Sequence, residues 1–225
     1  MSYDCSRKLV SITWRHHYVF TEQVLDLPYY PTSVVCLESG STGLDLLCLA
    51  GKYEDGDTVL ELIALRQATV LRDPQTGDRS LALGSAEAIH DLYRGAVVGR
   101  DMIRFIKGVR GRRDLLLVKF ADSGALATVS TLTGEVRMQA TVDGTGGSRA
   151  VPELRYFYGD MWAGSHCLLG DVYVLVNDLH LPSSFPPPIV LIDSDGDGDM
   201  EHSLVPRGAW WGANGMSNAS NYLDW

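Results

Sequence analysis

The sequence predicts a mainly β protein of antiparallel hairpins and meanders, and three observations predict it. Short apolar runs rich in β-branched and aromatic residues recur along the 225-residue chain, as pleated, half-buried strands require. Between them stand turn-forming groups such as Glu54-Asp55-Gly56-Asp57, Asp122-Ser123-Gly124 and Thr133-Gly134, the Gly and Asp chemistry that closes hairpins. Three Asp-led apolar strands, beginning at Asp45, Asp114 and Asp171, each run into a turn and a second strand. Such a weak repeat suggests a small or degenerate β-propeller-like arrangement.

Taken in order, residues 8–20 mix β-branched, aromatic and polar side chains as a half-buried strand pair would. Pro28 and Pro31 interrupt the pattern, and apolar runs over 33–38, 44–50 and 59–65 follow, separated by Gly40-Ser41-Thr42-Gly43 and by the 54–57 turn. These runs read as hairpins. The turn-forming residues 73–78 lie between runs at 69–71 and 81–83, one more hairpin. A helix is expected after Gly84-Ser85, where Ser85 can cap and Ala86, Glu87, Ala88, Ile89, Leu92 and Tyr93 continue to Gly95. A second is expected over 100–109, because Met102, Phe105, Ile106 and Val109 recur at i, i+3, i+4 and i+7. One or two helices are therefore placed at about 85–109, within an otherwise β chain. Strands over 115–120, 125–131 and 136–142 form a meander, and strands over 172–176 and 189–192 flank a proline-containing connection. The tail from Gly208 carries Trp210, Trp211 and Trp225 among Gly, Asn and Ser and reads as irregular coil packed on the core.

Length and composition fit a single mainly β domain over 1–225, with 143–148, rich in Gly, Ser and Thr, as the candidate flexible boundary. A formal charge of −9 disfavours nucleic acid, whose phosphates demand a positive face, and favours a basic partner. The basic residues Arg94, Arg100, Arg104, Lys107, Arg110, Arg112 and Arg113 cluster with only Asp101 as an acid, and lie most simply against the protein's own acidic surface. The polar first residues lack the apolar run of a secretory signal, and no stretch reaches the length of a membrane-spanning helix. A soluble, cytoplasmic protein is expected. Its cysteines, Cys5, Cys36, Cys48 and Cys167, show no CxxC spacing and read as small buried hydrophobes instead of a disulfide framework.

Catalytic signatures are missing. Gly40-Ser41-Thr42-Gly43 has the wrong spacing for a nucleophile elbow, and the phosphate-binding glycine loops do not occur. His16 and His17 would point to opposite faces of a strand, and His90, His166, His180 and His202 have no zinc-type spacing. Gly108-Val109-Arg110-Gly111 matches the G-x-x-G of an RNA-clamping loop but precedes a strand instead of joining two helices.

The sharpest local signal is Asp193-Ser194-Asp195-Gly196-Asp197-Gly198-Asp199-Met200-Glu201. Carboxylates at alternate positions, with glycines to fold the loop, can surround a hard cation such as calcium. An EF-hand is disfavoured, since the twelfth position is Leu204 and the preceding segment is strand-like. The segment resembles instead the calcium loop of FG-GAP and integrin α-chain β-propeller repeats, in which an apolar strand, here Ile189-Val190-Leu191-Ile192, runs into D-x-D-x-D-G-x-x-D. The resemblance covers about fifteen residues and occurs once, with Glu201 in place of the final Asp. It implies Asp193, Asp195, Asp197 and Glu201 as side-chain ligands and Asp199 as a backbone carbonyl ligand.

Function is expected to be binding and not catalysis. The charge favours an acidic inhibitor or immunity-type protein that neutralises a basic partner such as a toxin effector or nuclease, steering encounter electrostatically. Glu54, Asp55 and Asp57, or the 193–201 loop, would face that partner. The alternatives are a calcium-stabilised β-propeller-like binding domain and an enzyme whose site assembles from scattered Asp, Glu and His residues.

Overall fold

The computed structural model describes residues 2–4, 6–16, 19–37, 45–65, 69–72, 75–76, 79–82, 86–94, 100–145, 149–177 and 188–204. Among these it contains seventeen strands and one short 3-10 helix, Pro152–Tyr156. The mainly β expectation holds. The Gly40–Gly43 spacer, His17, His180 and the Trp-containing tail lie outside the described residues, as do 146–148 of the candidate boundary.

Strands β1 (Ser2–Asp4), β2 (Leu9–His16) and β3 (Val19–Asp26) form a three-stranded antiparallel sheet in that order. Strands β4 (Tyr30–Leu37), β5 (Asp45–Lys52), β6 (Thr58–Leu65) and β9 (Ala86–Arg94) form a four-stranded antiparallel sheet. The hairpin of β7 (Thr69–Arg72) and β8 (Arg79–Ala82) is inserted between its last two strands. A second four-stranded sheet has the order β10 (Ile103–Val109), β11 (Arg112–Phe120), β12 (Leu126–Ser130), β13 (Val136–Ala140). The last comprises β14 (Gly159–His166), β15 (Gly170–Asn177), β16 (Ile189–Asp193) and β17 (His202–Leu204), antiparallel throughout. Up-and-down four-stranded sheets of this kind are the unit from which propeller blades are made.

The Asp-led repeat has a structural counterpart. Asp45, Asp114 and Asp171 lie on β5, β11 and β15, each the second strand of its four-stranded sheet. Their spacings differ, 114 − 45 = 69 against 171 − 114 = 57, and the β7–β8 insertion occupies the longer interval.

Two compact units divide the chain: Met1–Gly108 with Val118–Asp122 and Thr131–Glu135, and Val109–Leu117 with Ser123–Ser130 and Val136–Trp225. In the first, Val10, Ile12, Leu27, Tyr29, Leu47, Leu49, Val59 and Ile63 form a buried cluster. In the second, the inner face of the β14–β17 sheet is a set of cross-strand rows. Met161 stands opposite Leu175 and Leu175 opposite Ile189, while Tyr173 lies between Ala163 and Leu191. All six are buried, so this face of the sheet is anchored by apolar side chains at every second position of β14, β15 and β16.

Both expected helices are strands, and the physical reasons differ. β9 pairs with β6 through two register shifts, in which Tyr93 and Asp91 face consecutive residues Leu60 and Glu61, and His90 and Ala88 face Leu62 and Ile63. Leu92 and Ile89 are therefore extra residues in bulges. A bulge breaks the two-residue alternation and leaves apolar residues three and four apart, which imitates helical spacing. In β10 the helix template used Met102, which is exposed, and passed over Ile103, which is fully buried. Ile103 and Phe105 begin a two-residue alternation, and the Ile106 N–H donates to the Ser33 hydroxyl at 3.1 Å.

Two residues of the basic segment, Arg110 and Arg112, pair with neighbouring acids. The Arg110 guanidinium donates to Asp160 and lies 5.3 Å from the Trp162 ring centroid, and Arg112 donates to both carboxylate oxygens of Asp114. The Arg110 N–H and C=O pair with Met161 and Ala163 in a parallel bridge, so the G-x-x-G segment is built into sheet structure. Of the cysteines, Cys48 is buried as expected, but Cys36 and Cys167 are exposed, and none of these three forms a disulfide. Cys36 sits near the end of β4 and Cys167 in the β14–β15 turn, where neighbouring apolar residues do not guarantee cover. No helix among the described residues is long and apolar enough to cross a membrane.

Candidate metal centre

The 193–201 loop joins β16 to the three-residue strand β17. Buried Ile189, Leu191 and Ile192 fix β16 in the sheet, and Asp193 follows as its last residue, itself only 2% exposed. A carboxylate so buried needs donors, and the loop supplies them: Gly196 N–H reaches Oδ1 at 2.7 Å and Gly198 N–H reaches Oδ2 at 3.0 Å. The remaining acids fold the loop by the same local chemistry. Asp197 N–H donates to Asp195 Oδ1 at 3.2 Å, and Asp199 N–H to Asp197 Oδ1 at 2.8 Å, two successive Asx turns. Glu201 closes the ring, its Oε2 accepting from both the N–H and the hydroxyl of Ser194 at 2.6 and 2.8 Å.

Two glycines let this loop sit where it does. Gly198 has φ +94°, and a Cβ there would lie 2.8 Å from the Arg137 carbonyl oxygen; its own carbonyl accepts the Gln139 N–H at 3.2 Å. The loop is thereby tied to β13. Gly170, at the start of β15, has φ +79°, and a Cβ would stand 2.3 Å from the Asp193 carbonyl oxygen. Met200, 2% exposed, anchors the loop from within.

Asp193, Asp195, Asp197 and Glu201 each present a carboxylate oxygen such that all four atoms lie within 4.8 Å of one another. Calcium–oxygen distances of about 2.3–2.6 Å place opposed ligands about 4.6–5.2 Å apart, so one ion can touch all four. The cluster could hold a metal ion, and its all-oxygen donor set suits hard cations over zinc or copper.

Electrostatics within the cluster are divided. Burial raises the Asp193 pKa, and the charges of Glu201 and Asp197 push it further up, while the Gly196 and Gly198 N–H groups oppose the rise. Glu201 moves the other way, its pKa lowered chiefly by the Ser194 N–H. Burial, with Asp171 and Asp193 nearby, pushes the Tyr173 hydroxyl up to about 12.

Four of the five acids singled out from the sequence thus converge. The carboxylate of Asp199 is not among the converging four. Leu204, the twelfth residue from Asp193, lies on β17 and is exposed. The Ser194 hydroxyl, Gln139 and Gly170 were not anticipated. Ser194 could have been read from its place between two acids, whereas Gln139 and Gly170 are distant in sequence and carry no local sign of their role.

The second acidic group, Glu54, Asp55 and Asp57, forms the β5–β6 turn. Asp57 N–H donates to Asp55 Oδ1 at 3.0 Å, and the turn is closed by Tyr53 N–H to Asp57 O and Gly56 N–H to Tyr53 O. Glu54 pairs with Lys8 at 2.6 Å, and this contact raises the lysine pKa. Lys8 also lies 5.1 Å from the Tyr30 ring centroid. Of the histidines, His166 uses Nδ1 to accept the Leu168 N–H at 3.2 Å. No protein-family model matches the chain, and no curated protein matches it.

Proposed function

We propose that this protein is a non-catalytic β-sheet binding module whose 193–201 loop takes up calcium as a structural ion. The observation that carries the reading is the convergence of Asp193, Asp195, Asp197 and Glu201 oxygens within 4.8 Å at the end of a buried strand. Four carboxylates repel one another unless a cation lies among them, and a divalent ion there would fasten β17 to the rest of its sheet. The proposal makes the ion a brace for the hairpin, consistent with the resemblance to propeller calcium loops. Isothermal titration of the metal-free protein with calcium is expected to give one site per chain that Asp195→Asn weakens at least tenfold. No calcium heat at millimolar concentration would overturn the reading.

The formal charge of −9 and the turn carboxylates, exposed at Glu54 and Asp55 and half-buried at Asp57, support a second reading, in which the module engages a basic cytoplasmic protein as an inhibitor. Glu54, Asp55 and Asp57 are the proposed contacts, although Glu54 must first release Lys8. A tagged protein should capture one stoichiometric basic partner from its native lysate, and reversing these three charges to Lys should abolish capture. Unchanged capture by the reversed variant would remove this turn from the interface.

A further inference from the structure

We draw no further inference here: the strongest candidate, the part-exposed apolar row of Trp162, Val174, Val190 and Leu204 across one face of the β14–β17 sheet, carries none because nothing in the structure shows what covers it.

Discussion

Replacing Asp195 by Asn separates metal binding from loop folding. The side-chain amide oxygen of Asn can still accept the Asp197 N–H that Asp195 Oδ1 accepts at 3.2 Å, so the Asx turn survives. What disappears is one negative charge from a set of four. Asp195 is exposed, so the substitution leaves no buried hole. In chelator, the variant should therefore melt within a degree or two of the wild type. With free calcium about a hundredfold above its dissociation constant, a site present only in the folded chain adds about 2.7 kcal/mol of stability. For a chain of this size that corresponds to a rise of about 5–10 °C in Tm. The wild type should show this rise between chelator and millimolar calcium, and Asp195→Asn, with a site at least tenfold weaker, should show about half of it or less, read by scanning calorimetry at one fixed scan rate. A wild-type Tm indifferent to calcium would refute the reasoning, as would an Asn variant that keeps the full increment.

Three further outcomes follow from individual residues. Gly198→Ala forces a side chain into φ +94° and within 2.8 Å of the Arg137 carbonyl, and should cost about 1–3 kcal/mol in urea unfolding; an unchanged midpoint would mean that the loop moves off β13 freely. Lys119 is 1% exposed on β11, and burial, with Arg104, lowers its pKa to about 8. The unfolded lysine keeps its proton to about pH 10.4, so between these values the unfolded state binds more protons and stability rises with pH, by up to about 3 kcal/mol. The wild type should gain on Lys119→Met by that order between pH 7 and 10.5, and a flat difference would contradict the assignment. Iodoacetamide should modify Cys36 and Cys167 in the native protein while Cys48, buried and with its thiol pKa raised by desolvation, reacts only on unfolding, as peptide mapping would show.

Much of the fold was legible because its turns carry their own chemistry. Ser123 accepts the Ala125 N–H, Thr133 the Glu135 N–H and Asp55 the Asp57 N–H, so each hairpin announces itself through the residue that closes it. The Asp-led apolar runs were second strands of their sheets for a similar reason: short polar turns bracket long buried runs, as in Leu115–Phe120 of β11. Legibility failed where the period of two failed. The bulges of β9 spread its apolar residues over helical spacing, and β10 was offset by one residue through Met102. β14 was overlooked because its core-facing positions are Gly159, Met161 and Ala163 while its largest apolar residue, Trp162, faces outward. In the candidate site, the loop acids could be read from their spacing, since every hydrogen bond that shapes the turn spans seven residues or fewer. The contacts from Gln139 and Gly170 depend on strands that come together only in the folded chain.

The hydrogen bonds within the loop decide what a cation would have to do there. Asp193 spends one bond on each oxygen, while Asp195 and Asp197 each accept one backbone N–H through Oδ1. An ionised carboxylate has about four acceptor positions, so every one of these groups retains capacity for a metal after shaping the backbone. The donors orient the carboxylates, yet they are neutral dipoles and leave the mutual repulsion of the carboxylates in place: burial is the main cause of the raised Asp193 pKa, and the charges of Glu201 and Asp197 add to it. That repulsion falls on the shortest strand of the sheet among the described residues, where β17 contributes His202–Leu204 and pairs with Val190, Leu191 and Ile192 of β16. Relief of repulsion by a cation should therefore appear first as protection of β17 and the loop amides from hydrogen exchange, with the β14–β15 core unchanged. Calcium that slowed exchange uniformly across the sheet would instead place the effect on global unfolding and not on the hairpin.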